Sequence, residues 1–156
     1  MPRPPRIFLL LLAIPVGTLA LMGSAASNEN AAGTKTGVPI VTPAHIEGIT
    51  NVDAEGLIEK VMNTPELVLI DSRITADRKE GYIEGSISLP DIDTTCDSLE
   101  IIAPDRNTPV MFYCNGIKCG RSAKAAQIAI DCGYTDVYLF RKGMEEWQEK
   151  QYPLVQ

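Results

Sequence analysis

Three four-residue runs restrict this chain more than anything else in it: Leu67-Val-Leu-Ile70 ahead of Asp71, Val110-Met-Phe-Tyr113 ahead of Cys114, and Val137-Tyr-Leu-Phe140. Each is apolar without interruption, which suits strands buried on both faces of a parallel sheet rather than strands with one wet face. Helical patterns lie between them. Ala54, Leu57, Ile58, Val61 and Met62 recur at helical spacing behind a cap at Asn51 or Asp53, and Pro65 follows where that helix would end. A short helix is expected around Ser98 to Ile102, and another from Ser122 to Asp131, stopped by Gly133. This order predicts an α/β fold with a central, mainly parallel β-sheet flanked by helices on both faces. In such sheets ligands bind beyond the carboxyl ends of strands, the positions of Asp71 and Cys114.

The first residues stand apart from this pattern. Arg3 and Arg6 precede the apolar run Ile7 to Met22, and Gly23-Ser-Ala-Ala26 supplies small residues after it. Residues 1–26 therefore read as a secretory signal peptide or, because the run approaches the length that spans a bilayer, an uncleaved anchor over residues 7–26. Either delivers the rest across the membrane, exported to a periplasmic or other extracytoplasmic space, with the positive charges left behind. Residues 27–44, rich in Asn, Ala, Gly, Thr and Pro, read as a flexible tether, and 45–156 as one domain. Setting aside Arg3 and Arg6 leaves twelve of the fourteen basic residues against all twenty acidic ones, which excludes nucleic acid as a partner. Membrane contact is expected only through the N-terminal segment.

The chemistry is expected between Cys114 and Ser122. A strand that stops at Cys114 and a helix that starts near Ser122 leave the peptide N–H groups between them unpaired, with the positive end of a helix dipole behind. Lys118 and Arg121 add charge, and such surroundings lower a thiol pKa from about 8.5 toward neutrality. Cys114 is thus a candidate nucleophile. Cys119 has three readings: a thiol that resolves an adduct on Cys114 by forming a disulfide, a sulfur acceptor, or a small packing residue. Neither cysteine has further ligands at metal-binding spacing, so no metal is expected, and no cofactor. His45, the only histidine, reads as solvated, Cys132 as a buried small hydrophobe, and Cys96 as exposed or paired with an unidentified thiol. Asp71 and Arg73 are expected to form a supporting ion pair, and Met144 and Trp147 to pack in the core.

Three separated signals agree on a family. Leu69-Ile-Asp-Ser-Arg73 leads to Gly81-Tyr-Ile-Glu-Gly-Ser-Ile-Ser-Leu-Pro90; Tyr113-Cys114 is followed by Arg121-Ser122; and Gly143-Met-Glu-Glu-Trp147 closes the body. Together they make the chain resemble a single-domain rhodanese, of the sulfurtransferase family, over roughly Ile49 to Pro153. The resemblance implies that Cys114 carries a persulfide between a small sulfur-containing donor and a thiol or cyanide acceptor. It implies that Arg121 is the loop arginine, and that Asn115, Gly116, Ile117, Lys118, Cys119, Gly120 and Ser122 form the substrate-binding loop. The chain departs from the family in having Tyr82 where a histidine is usual and a loop longer than is usual in sulfurtransferases. Related phosphatases and arsenate reductases use longer loops, so these classes, a thiol–disulfide redox protein and a non-catalytic binding module stand as rival functions.

Overall fold

In the computed structural model the described residues are 41–156; the signal or anchor segment and most of the expected tether lie outside them. The chain runs β1 (Ile49–Val52), α1 (Ala54–Asn63), β2 (Val68–Asp71), α2 (Thr75–Arg78), β3 (Ile87–Ser88), α3 (Cys96–Ile102), β4 (Val110–Tyr113), α4 (Arg121–Asp131), β5 (Val137–Phe140) and α5 (Gly143–Glu149). The five strands form one sheet in the order β1-β5-β4-β2-β3, every neighbouring pair parallel. Among the described residues no helix is long and apolar enough to cross a membrane.

Alternation along the three central strands divides the core in two. Ile70, Val110, Phe112, Val137 and Leu139 turn to one face, where α3 and α4 cover them with Leu99, Ala125, Ala126 and Ala129. Leu69, Met111, Tyr113, Tyr138 and Phe140 turn to the other, under Ala54 and Leu57 of α1 and Met144 and Trp147 of α5. The alanine-rich face of α4 suits its close approach to the sheet. Local signals set the ends of the helices: Asp53 accepts from the Gly56 N–H at 2.9 Å at the head of α1, and Gly133 takes φ +90° just past α4.

Four features differ from the sequence expectation. Asn51, one of the two candidate caps, lies instead in the edge strand β1, and Asp53 is the cap; Thr50 and Asn51 face solvent, so β1 lacks the apolar continuity of its neighbours. The segment after β2 forms α2 and the two-residue β3, both too short for a periodic pattern. Cys132 is not a free apolar residue: it is disulfide-bonded to Cys96, which ties the head of α3 to the end of α4 with Cα atoms 5.4 Å apart. The pairing is non-local, 36 residues apart, and closing such a loop stabilises by about 3–4 kcal/mol on a chain-entropy account. Finally, the last residues of the expected tether pack on the body. Thr42 is fully buried, while His45 is exposed.

Candidate active site

β2 and β4 lie side by side and end together, Asp71 opposite Tyr113, so the residues that follow them share one end of the sheet. Below the loop that begins at Cys114 sits a buried polar cluster centred on Asp71. The Arg73 guanidinium forks onto this carboxylate, Nε to Oδ1 at 2.9 Å and Nη2 to Oδ2 at 2.7 Å, and the Arg73 backbone N–H adds a bond to Oδ1. Arg78 Nη1 at 3.0 Å and the Tyr113 hydroxyl at 2.9 Å both donate to Oδ2. Burial alone would raise the Asp71 pKa, but the hydrogen bonds and charge of Arg73 outweigh it and hold the carboxyl below its ordinary value. The ion pair anchors the segment after β2, because Arg73 also donates to the Gly81 carbonyl and Arg78 to Ser86.

Tyr113 is fully buried, and burial followed by the adjacent Asp71 charge pushes its hydroxyl up to about 12. The unfolded chain releases that proton near pH 10 while the folded protein holds it, so the stability this group contributes is complete below about pH 10 and disappears by about pH 12. Denaturant titrations across that interval are expected to show a loss of about 2–3 kcal/mol that is absent in Tyr113→Phe. An unchanged alkaline slope in the variant would place the effect elsewhere.

The loop from Cys114 to Gly120 is held from outside. Met144 and Glu145, in the first turn of α5, donate their N–H groups to the carbonyls of Cys114 at 2.9 Å and Asn115 at 2.8 Å. Gly143 has φ +54°, and a Cβ there would lie 2.1 Å from the Cys114 carbonyl oxygen. From the other side Thr42 donates its N–H to the Ile117 carbonyl at 2.7 Å and its hydroxyl to the Cys119 carbonyl at 2.6 Å. Arg141 in turn donates to the Thr42 and Pro43 carbonyls. The Cys119 N–H closes a turn onto the Gly116 carbonyl at 2.9 Å. The loop's acceptors are thus largely occupied, whereas among the described residues the N–H groups of Asn115, Gly116, Ile117 and Lys118 have no protein acceptor. α4 starts at Arg121, immediately beyond, and its first turn adds further free donors.

Cys114 and Cys119 are joined by a disulfide, their Cα atoms 6.3 Å apart. In this state Cys114 is only 1 % exposed, and Cys119 is the less buried of the two residues. A hollow of about 400 Å³ opens on the Cys119 side, lined by Asp91, Lys118, Cys119, Gly120, Arg121 and Lys124. Arg121 lies between two carboxylates, 3.7 Å from Asp77 and 3.6 Å from Asp91, and Lys124 pairs with Asp91 at 3.0 Å. Asn115 donates to Asp77 at 2.8 Å. Ile117 and Lys118 are exposed, Gly116 is buried, and the hydroxyl of buried Ser122 has no partner among the described residues. Asp77, Asp91, Lys124, Thr42 and Gly143 all shape this site without having been singled out from sequence. Gly143 stood in the recognised Gly143–Trp147 signal, whereas the others carry no local mark.

A family model, the rhodanese-like domain, matches residues 53–150. A sulfurtransferase of Allochromatium vinosum is 27% identical over 107 residues, covering 69% of this chain and 95% of that protein. The uncharacterized protein YibN of Escherichia coli (strain K12) is 24% identical over 119 residues, 76% of this chain and 81% of its own. Among solved structures, the BH2092 protein of Bacillus halodurans superposes with a TM-score of 0.60 at 21% identity, covering 68% of this chain and 76% of that one. Thiosulfate sulfurtransferase from Pseudomonas aeruginosa gives 0.56 at 24% identity, over 69% of this chain and 20% of that longer one. These two likenesses concern the fold. Sheet order, the loop between β4 and α4, and a family match across most of the body lead to one assignment: the chain belongs to the rhodanese-like domain family.

Proposed function

We propose that the protein is a sulfurtransferase whose Cys114 thiolate accepts sulfane sulfur and passes it on. The observation that carries this reading is a run of N–H groups, Asn115 to Lys118, without a protein acceptor among the described residues, in the loop that begins at a cysteine at the carboxyl end of β4 and leads into α4. Such a cradle stabilises a thiolate and, after transfer, the persulfide anion, by preorganised dipoles. Arg121, Lys118 and Lys124 attract an anionic donor to the adjoining hollow. The thiolate attacks the outer sulfur of a thiosulfate- or persulfide-type donor and expels sulfite or a thiol; an external thiol or cyanide then removes the sulfur. The name of the Allochromatium relative favours the same class of activity. Because the bridge to Cys119 blocks the nucleophile, the thiol form is the active one. Two disulfides among the described residues favour export to an oxidising space, as the leader pattern does.

Intact-mass measurement tests the proposal. Protein reduced with a dithiol, freed of reductant and mixed with thiosulfate or a small persulfide is expected to gain about 32 Da at Cys114, and Cys114→Ser to gain nothing. No gain with either donor, in the wild-type protein or in Cys119→Ser, removes the reading.

A further inference from the structure

We infer that Cys119 is a resolving thiol that reduces the Cys114 persulfide within the loop and releases hydrosulfide, making the protein a sulfide-producing persulfide reductase with an external dithiol as co-substrate. The inference rests on the Cys114 persulfide proposed above and concerns what happens to it next.

The geometry bears on which sulfur is attacked. Cys119 Sγ is bonded to Cys114 Sγ, so the backbone brings this thiol to the inner sulfur of a persulfide, the atom whose attack expels the outer one. Its position is fixed on both sides. The Cys119 N–H is tied to Gly116 and the Cys119 carbonyl to the buried Thr42 hydroxyl, and neither bond involves the disulfide. Opening the bridge therefore leaves Cys119 close to its former partner. Intramolecular thiols so oriented compete at effective concentrations far above those of free cellular thiols. Cys119 itself lines the hollow that adjoins the site.

The step balances without an added oxidant. The Cys119 thiol gives up its proton and its sulfur attacks Cys114 Sγ; the bond between the inner and outer sulfurs breaks, and the outer sulfur leaves with the electron pair and that proton as hydrosulfide. The sulfane sulfur is reduced by two electrons, and the two cysteines are oxidised to the disulfide seen in the structure. Regeneration follows from exposure. A dithiol reductant enters through the hollow that Cys119 lines and attacks the Cys119 sulfur, and Cys114 departs as a thiolate beside loop N–H groups that have no protein acceptor among the described residues. The reductant's second thiol then frees Cys119, and the reductant leaves as a disulfide. Disulfide-reducing chemistry must accordingly supply electrons to this site, and its product is sulfide.

A single-turnover experiment on the full chain decides the matter. Reduced protein, freed of reductant, is mixed with one equivalent of thiosulfate or of a small persulfide, and intact mass and sulfide are followed together. Wild-type protein is expected to pass through a form about 32 Da heavier and settle about 2 Da below the reduced mass, releasing about one sulfide per chain. Cys119→Ser and Cys119→Ala are expected to hold the added sulfur at least about 100-fold longer, until an external thiol is supplied. Wild-type protein that keeps the added sulfur as long as these variants overturns the resolving role while leaving sulfur transfer intact. Absence of the added mass in all three proteins overturns the sulfur-transfer reading itself, and this inference with it.

Discussion

Asp71→Ala is expected to cost about 3–5 kcal/mol of stability, the range for removing one partner from a buried ion pair. The carboxylate is fully buried and receives two arginines, a tyrosine hydroxyl and a backbone N–H. Without it the Arg73 guanidinium, 4 % exposed, keeps its charge in a place where little water can replace the lost anion. In a domain of this size the thermal midpoint falls by more than about 10 °C. Asp71→Asn retains the shape and one acceptor, so a smaller loss is expected. The same carboxylate sets the acid limit. Its folded pKa is depressed, so its contribution is present above about pH 3.9 and is lost as the pH falls through the folded value. A midpoint in Asp71→Ala within a few degrees of wild type would mean that both arginines find water or other acceptors.

The second large effect is expected from Gly143→Ala. Alanine at φ +54° is strained by about 1 kcal/mol, and its Cβ would meet the Cys114 carbonyl oxygen at 2.1 Å, a backbone atom that cannot rotate away. Either α5 retreats or the loop moves, and the bonds from Met144 and Glu145 to the loop carbonyls go with it. A stability loss above about 2 kcal/mol and a fall in sulfur loading of about 100-fold or more are expected, since a 1 Å shift of a reacting group has that order of effect. Gly133→Ala is the matched control. It shares a positive φ, +90°, but a Cβ there meets nothing within 4 Å among the described residues, so it should cost stability and leave loading unchanged. Equal loading in the two variants would detach α5 from the chemistry.

How much of this was legible beforehand depended on how local each cause is. Val110–Tyr113 and its counterparts were readable as strands because both faces of the sheet are covered, which leaves an unbroken apolar run. The placement of Cys114 between β4 and α4 was readable because it is a matter of order along the chain. The Asp71–Arg73 pair lies within three residues. By contrast, β1 sits at an edge and spends its residues on water, and β3 exists through two pairings to β2. The Cys96–Cys132 bridge depends on α3 and α4 lying side by side on one face of the sheet. Thr42 grips a loop 77 residues away, and Asp91 meets Lys124 across 33, distances over which a single sequence carries no pattern.

That grip gives Thr42 a mechanical meaning. Tension applied to the chain ahead of residue 42 enters the molecule at the peptide groups of Ile117 and Cys119, with Arg141 sharing the load through the Thr42 and Pro43 carbonyls. The backbone at residue 42 and the loop that carries the Cys114–Cys119 disulfide are thus mechanically coupled through Thr42, with Arg141 as a brace.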